Sequence, residues 1–181
     1  HLINTSSVNG FWASLGPATA HTSYSAAKFA VKGFTEALVN DFRLNAPHVG
    51  VSLVMPGHVG TSILINSRKM LGHDPKEMTS EQLDAARDRM SALGVDASGA
   101  TDDEMRQGLQ EIGEKFRDDA PMTAAEAATI ILNGVREQRW RILVGNDAIA
   151  LDRLVREDPE NAYEPEFMER LRAKTNWNLG I

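Results

Sequence analysis

The chain contains no cysteine, which excludes a disulfide framework and every cysteine-ligated metal site. It has no apolar run approaching the ~18–20 residues that a membrane-spanning helix needs. Basic residues number 19 against 25 acidic ones and are scattered, and with a net charge of −6 nucleic acid is not expected as a partner. The histidines, His1, His21, His48, His58 and His73, follow no His-Glu-x-x-His or similar ligand spacing, so no metal site is expected. None of the 14 glycines falls in a Gly-x-Gly-x-x-Gly pattern, so the phosphate-cradling turn of that type is missing rather than disguised. There is no internal repeat and no low-complexity tract. What remains is a chain of 181 residues, 42% apolar and 24% charged, ordinary for a globular domain and long enough to bury a core.

Three stretches give the organisation. His1-Leu2-Ile3-Asn4-Thr5-Ser6-Ser7 predicts a buried strand that ends in an exposed serine pair. Val51-Ser52-Leu53-Val54-Met55, closed by Pro56-Gly57, predicts a second strand. Between them a helical pattern over 22–44 puts Ala27, Val31, Phe34, Leu38 and Phe42 on one stripe and Ala26, Ala30, Gly33 and Ala37 on another. A strand-helix-strand unit of this length implies parallel strands, a right-handed crossover and a ligand crevice at the carboxyl ends of the strands. Ser7, the loop 58–61 and Tyr24, on the first turns of the helix, all fall at that edge. Tyr24 and Lys28 lie four residues apart in Tyr-Ser-Ala-Ala-Lys, which stacks a phenol beside an ammonium. A nearby cation stabilises a phenolate and so brings a tyrosine toward acid/base service at working pH.

Together these residues resemble the short-chain dehydrogenases/reductases, in their compact single-domain branch. The resemblance rests on Asn-Thr-Ser-Ser at the first strand end, on Tyr-Ser-Ala-Ala-Lys with Phe-Ala-Val-Lys-Gly-Phe-Thr-Glu-Ala-Leu following, and on Met-Pro-Gly-His-Val-Gly-Thr. It covers about the first third of the chain strongly and the rest in outline. It implies a Rossmann-like doubly wound parallel α/β sheet and an NAD(P)-dependent oxidoreductase that moves hydride between nicotinamide and an alcohol or ketone. Tyr24 would be the general acid/base and Ser7 would hydrogen-bond the substrate oxygen. Lys28 would support the tyrosine's ionised form and hold the nicotinamide ribose hydroxyls. Val59, through its backbone, and Thr61 would fix the carboxamide and the adjoining phosphate end, in a loop shaped by Pro56 and Gly57. NAD and NADP are not distinguished, nor is the substrate.

Ser7 and Tyr24 are 17 positions apart, a few more than the family's commonest spacing, so Phe11-Trp12-Ala13-Ser14-Leu15-Gly16-Pro17 is expected to form a longer loop at the site mouth. That spacing leaves Ser6 and Ser14 as alternatives, with Ser7 favoured by its place in the motif. Trp12 is read either as an apolar wall for substrate or as packing. The family's glycine-rich turn precedes the strand with which this chain opens. The chain has no initiating Met and is expected to be the carboxyl-terminal part of one longer catalytic domain, inactive alone.

Downstream, 62–121 carries two polar amphipathic helices opened by Thr79-Ser80-Glu81-Gln82 and Thr101-Asp102-Asp103-Glu104, both with capping-box spacing, around a loop over 94–100. An insertion at this point is expected to be a substrate lid, with a solvated hairpin as the other reading. Thr123 should cap a helix to about Glu137, Arg141-Ile142-Leu143-Val144 should be a buried strand, and 147–156 and 165–174 two more helices. The apolar circumference of the 22–44 helix suggests a homodimer or homotetramer contact. The expected protein is cytoplasmic, with a small-molecule alcohol or carbonyl substrate. A non-catalytic relative that binds cofactor or partner is the alternative. A serine hydrolase is disfavoured because no Gly-x-Ser-x-Gly elbow is present.

Overall fold

A computed structural model of the chain describes residues 1–16, 21–175 and 177. The chain divides into two compact units, one made of His1–Val59 with Pro121–Ile181 and the other of Gly60–Ala120. In the first, β1 (Leu2–Thr5), β2 (Val51–Pro56) and β3 (Arg141–Val144) form a parallel sheet in the order β1-β2-β3. Leu2 lies opposite Val51, and Leu53 opposite Arg141. The helices in chain order are α1 (Thr22–Asn45), α2 (Ile63–Met70), α3 (Ser80–Ala92), α4 (Asp102–Asp118), α5 (Ala124–Arg136), α6 (Asn146–Glu157) and α7 (Pro165–Lys174). This is the parallel α/β architecture that the strand-helix-strand pattern predicts. None of the described helices is long and apolar enough to cross a membrane.

Central β2 explains why its sequence is a continuous apolar run. It is paired on both edges, and Leu53, Val54 and Met55 are fully buried, the pattern of a parallel strand covered on both faces. β3 shows the alternation of a strand between two layers. Ile142 and Val144 pack with Val54 against Ala127, Ile130, Ile131 and Val135 of α5. Leu143 packs against the opposite cluster, where α6 (Ala148, Leu151, Leu154) and α7 (Phe167, Met168, Leu171) meet Trp12.

Two expectations about the first strand are reversed. Leu2 and Ile3 are exposed, whereas Ser6 and Ser7 are buried. Among the described residues β1 pairs on one edge only, while a 3-10 turn at Val8–Gly10 packs onto α1 and covers the serines. The helix stripe is also shifted. Val31, Leu38 and Phe42 are half-buried as expected, but Ala27 and Phe34 face solvent, and the buried positions of α1 are Ser25 and Thr35. Thr35 Oγ1 donates to the Val31 carbonyl at 2.7 Å and accepts from Asn4 Nδ2 at 3.0 Å, so hydrogen bonding rather than apolar burial fixes the rotation of α1.

The second unit contains the two expected capped helices and one that the pattern missed. Thr79 and Thr101 both form reciprocal capping boxes with Gln82 and Glu104, as Thr123 does with Glu126 at the start of α5. α2 was missed although Ser62 precedes it, because Ile65 stands where a capping box would have Glu or Gln. α4 packs against both α2 and α3 over a small core of Met78, Leu83, Ala97 and Met105.

In the first unit, β3 and α6 are tied by Asp152, which accepts from Arg141 Nη1 and Nη2 at 3.1 and 2.5 Å and from Arg156 Nε at 2.9 Å. Burial alone would push the Asp152 carboxyl up, but the hydrogen bonds and charges of the two arginines hold it below the ordinary carboxylate range. Its folded value being depressed, the tie stabilises the fold above the unfolded carboxyl's pKa of ~3.9 and is lost as pH falls through the folded value. Asp152→Ala should therefore cost about 2–3 kcal/mol at pH 7, since it leaves Arg141 unpaired. Denaturant titrations at pH 7 and pH 3 should show the gap between variant and wild type shrinking in acid.

Candidate active site at the carboxyl end of the first strand

The site begins with a pair of bonds that fasten α1 to β1. Ser6 Oγ donates to the Lys28 carbonyl at 2.7 Å, and Lys28 Nζ donates to the Thr5 carbonyl at 3.2 Å. Lys28 is thus held at both its backbone and its head group by the end of one strand. Tyr24 lies one turn earlier on α1, its ring centroid 5.4 Å from Lys28 Nζ. The Tyr24 ring also meets the edge of the His21 ring, with centroids 4.6 Å apart and planes at 62°. Burial holds the His21 imidazole below its ordinary pKa, which favours the uncharged ring beside the phenol.

The neighbouring serines differ in what their hydroxyls do. Ser6 spends its proton on the Lys28 carbonyl. Ser7 Oγ instead accepts, from Asn9 N at 3.2 Å, as the cap of the 3-10 turn, and among the described residues it donates to none. Its proton is therefore available for an outside acceptor. Ser14 lies on the following loop, where its Oγ accepts from Gly16 N at 3.0 Å.

That loop is fastened from within and from a distance. Asn9, buried, donates through Nδ2 to the carbonyls of Trp12 at 3.1 Å and Ser14 at 2.7 Å. Trp12 is only 1% exposed, donates Nε1 to the Ala162 carbonyl at 2.6 Å and packs against the rings of Phe167 and Trp177. Of its two readings, packing is the one realised. Ala13 N donates to Tyr163 Oη at 3.1 Å. Pro17, the last residue of the expected loop, lies outside the described residues.

At the neighbouring strand end, Pro56 closes β2 and Gly57 N donates to the Val144 carbonyl at 2.9 Å. His58 N donates to Asp147 Oδ2 at 2.6 Å, and Val59 packs with the apolar cluster of β2, β3 and α5. Thr61 falls at the start of the second unit. Ser7, Tyr24 and Lys28 thus gather at the end of β1, and Pro56, Gly57 and Val59 line the end of the strand beside it. Two residues of this edge were missed in the sequence, Asn9 and Asp147. The available signals were Asn-Gly at 9–10, a turn dipeptide, and an acid in the first turn of a helix that directly follows a strand.

A parallel sheet wound by helices, with a Tyr-Lys pair and a serine at a strand's carboxyl end, is the α/β arrangement that places a ligand crevice beyond the strands' carboxyl ends. Residues 1–72 match the family model described as short chain dehydrogenase. Over 156 residues the chain is 31% identical to the protein named "Putative oxidoreductase SadH" of Mycobacterium tuberculosis strain H37Rv, covering 86% of this chain and 43% of that one. It is 41% identical over 68 residues to nodulation protein G of Azospirillum brasilense, covering 38% of this chain and 25% of the relative. The crystal structure of a short chain dehydrogenase/reductase from Burkholderia phymatum in complex with NAD aligns with 91% of the chain and 50% of its own, at a TM-score of 0.54 and 28% identity. In sequence and fold the chain is similar to short-chain dehydrogenases/reductases, and it spans less than half the length of the curated relatives it matches and about half that of the solved one.

Asn9 gives a direct check on how the loop after Ser7 is held. Asn9→Ala deprives two backbone carbonyls of a buried donor and should lower stability by about 1–3 kcal/mol. Equilibrium urea unfolding of the gene-length protein measures it, and an unchanged midpoint would mean that Trp12 and the bond from Ala13 to Tyr163 hold the loop without Asn9.

Proposed function

We propose that this chain carries the proton-handling part of an NAD(P)-dependent oxidoreductase that interconverts an alcohol and a ketone, with Tyr24 as general acid/base. The observation that carries this reading is the Tyr24 ring 5.4 Å from the Lys28 ammonium, with that ammonium bonded to the end of β1. In the oxidative direction Ser7 donates its uncommitted hydroxyl proton to the substrate oxygen, polarised by the bond it accepts from Asn9 N. Tyr24, as phenolate, takes the proton of the substrate hydroxyl, with the Lys28 ammonium 5.4 Å from the centre of its ring. A bound nicotinamide would supply the hydride chemistry at the adjacent carbon. In reduction Tyr24 returns the proton to the carbonyl oxygen.

The fit of the cofactor to these residues is tested on Lys28. Its ammonium has three donors and one is taken by the Thr5 carbonyl, which leaves donors for the vicinal hydroxyls of a nicotinamide ribose. Val59 would hold the carboxamide through its backbone, in the loop that Pro56 and Gly57 begin, and Thr61 would hold the adjoining phosphate end. The NAD complex of the Burkholderia phymatum relative supports a nicotinamide cofactor. Both NAD and NADP carry the part that these residues would touch.

Two further parts of the reading concern surroundings. The unit Gly60–Ala120 follows this loop directly in the chain, which supports a substrate lid over 62–121. Phe29 and Phe34 are exposed on α1, 41% and 60%, which supports a homodimer or homotetramer contact through the helix at 22–44.

In the gene-length protein, Tyr24→Phe should lower kcat by a factor of about 10²–10⁴ with little change in cofactor affinity, since only proton exchange is removed. Lys28→Met should damage both kcat and cofactor binding. Steady-state kinetics and cofactor fluorescence titration measure the two, and a fully active Tyr24→Phe enzyme would sink the mechanism. Light scattering at micromolar concentration should report a dimer or tetramer that Phe34→Glu shifts toward monomer, whereas a monomeric wild type would remove the contact.

A further inference from the structure

The mechanism leaves one buried charged group unused. Asp147 is 6% exposed and lies in the first turn of α6. Its Oδ2 accepts from His58 N at 2.6 Å and its Oδ1 from Ala148 N at 2.8 Å. Among the described residues no lysine or arginine forms an ion pair with it. A buried carboxylate without a cation is costly unless N–H dipoles replace the water it has lost. Here one comes from the amino end of a helix, where the macrodipole favours negative charge, and the other from the loop after β2.

Two glycines make room for this group. A Cβ on Gly57 would land on the Asp147 carboxylate, and so would one on Gly145. Gly145 also has φ 111°, a left-handed conformation that lets β3 turn directly into α6. Gly57 N continues the sheet ladder onto the Val144 carbonyl at 2.9 Å, and His58 N leaves the ladder for Asp147. The carboxylate therefore captures the first backbone donor that the sheet ladder leaves unpaired beyond Gly57 and sets the path by which the chain reaches Val59.

We infer that Asp147 is a positioning residue for the nicotinamide end of the cofactor, acting through the backbone of 57–59 by clamping His58 N from the amino end of α6. The inference rests on the reading of this loop as a cofactor contact. An uncharged amide cannot replace the clamp, because it accepts through one oxygen and turns its NH₂ toward the second N–H.

The test uses the gene-length protein and NADH as probe. Asp147→Asn should weaken NADH binding about tenfold or more by fluorescence titration, while kcat at saturating cofactor changes less than threefold. Without cofactor, hydrogen exchange should quicken at the amides of 58 and 59 and stay at wild-type rates over α1. Gly57→Ala, which displaces the carboxylate without removing it, is the second variant. It should reproduce the local exchange and the affinity loss, and it should add little in an Asp147→Ala background. Unchanged NADH affinity in Asp147→Asn and Gly57→Ala overturns the inference, as does exchange that quickens uniformly across the fold. Wild-type protein that binds no nicotinamide overturns the proposed function itself and the inference with it. That outcome is distinguishable, because it appears before any substitution is made.

Discussion

The site depends on the way Lys28 is held at both ends by one strand terminus. Its carbonyl receives the Ser6 hydroxyl and its ammonium reaches back to the Thr5 carbonyl. Neither bond is strong by itself, about 1 kcal/mol net for a neutral hydrogen bond and somewhat more for a charged one. Together they fix both the position of α1 along β1 and the direction of the lysine head group. The placement of Tyr24 follows from helical geometry alone, one turn before Lys28. Dividing the serines between two tasks completes the arrangement, with Ser6 joining the elements and Ser7 keeping its proton.

The same economy governs the second strand end. The backbone beyond β2 has no sheet partner to satisfy its donors, and an unsatisfied buried N–H is expensive. Gly57 still finds the ladder through Val144, and His58 finds Asp147. The loop is thereby held by the end of β3 and the first turn of α6. Rigid support from elements outside the loop is what a precisely placed binding contact requires.

Much of this could be read in the sequence because it rests on local rules. The Tyr24-Lys28 spacing, the apolar run of β2 and the Thr79, Thr101 and Thr123 capping boxes each depend on a few adjacent residues, and the structure contains all of them. What escaped depends on pairs far apart in the chain. The rotation of α1 brings Asn4 to Thr35, a pairing that hydrophobic periodicity does not register. The exposure of Leu2 and Ile3 and the burial of Ser6 and Ser7 reflect which neighbours cover a strand rather than its composition. The clamp of His58 by Asp147 joins residues 89 positions apart, and no local pattern links them. α2 was missed for the opposite reason, since it is local but has no capping box to announce it.

The aromatic anchor of the loop after Ser7 has a bearing on how the protein is made. Trp12 is bonded to the Ala162 carbonyl across 150 positions and packs tilted against Phe167 and edge-on against Trp177. During synthesis the strand, the serines and the Tyr-Lys helix emerge long before these partners, and domains gain their packing as the chain lengthens. The indole of Trp12 must wait, exposed, until α7 has left the ribosome. A nascent chain stalled within 62–157 would therefore carry every residue of the Ser-Tyr-Lys set and still lack the wall that holds the loop beside it.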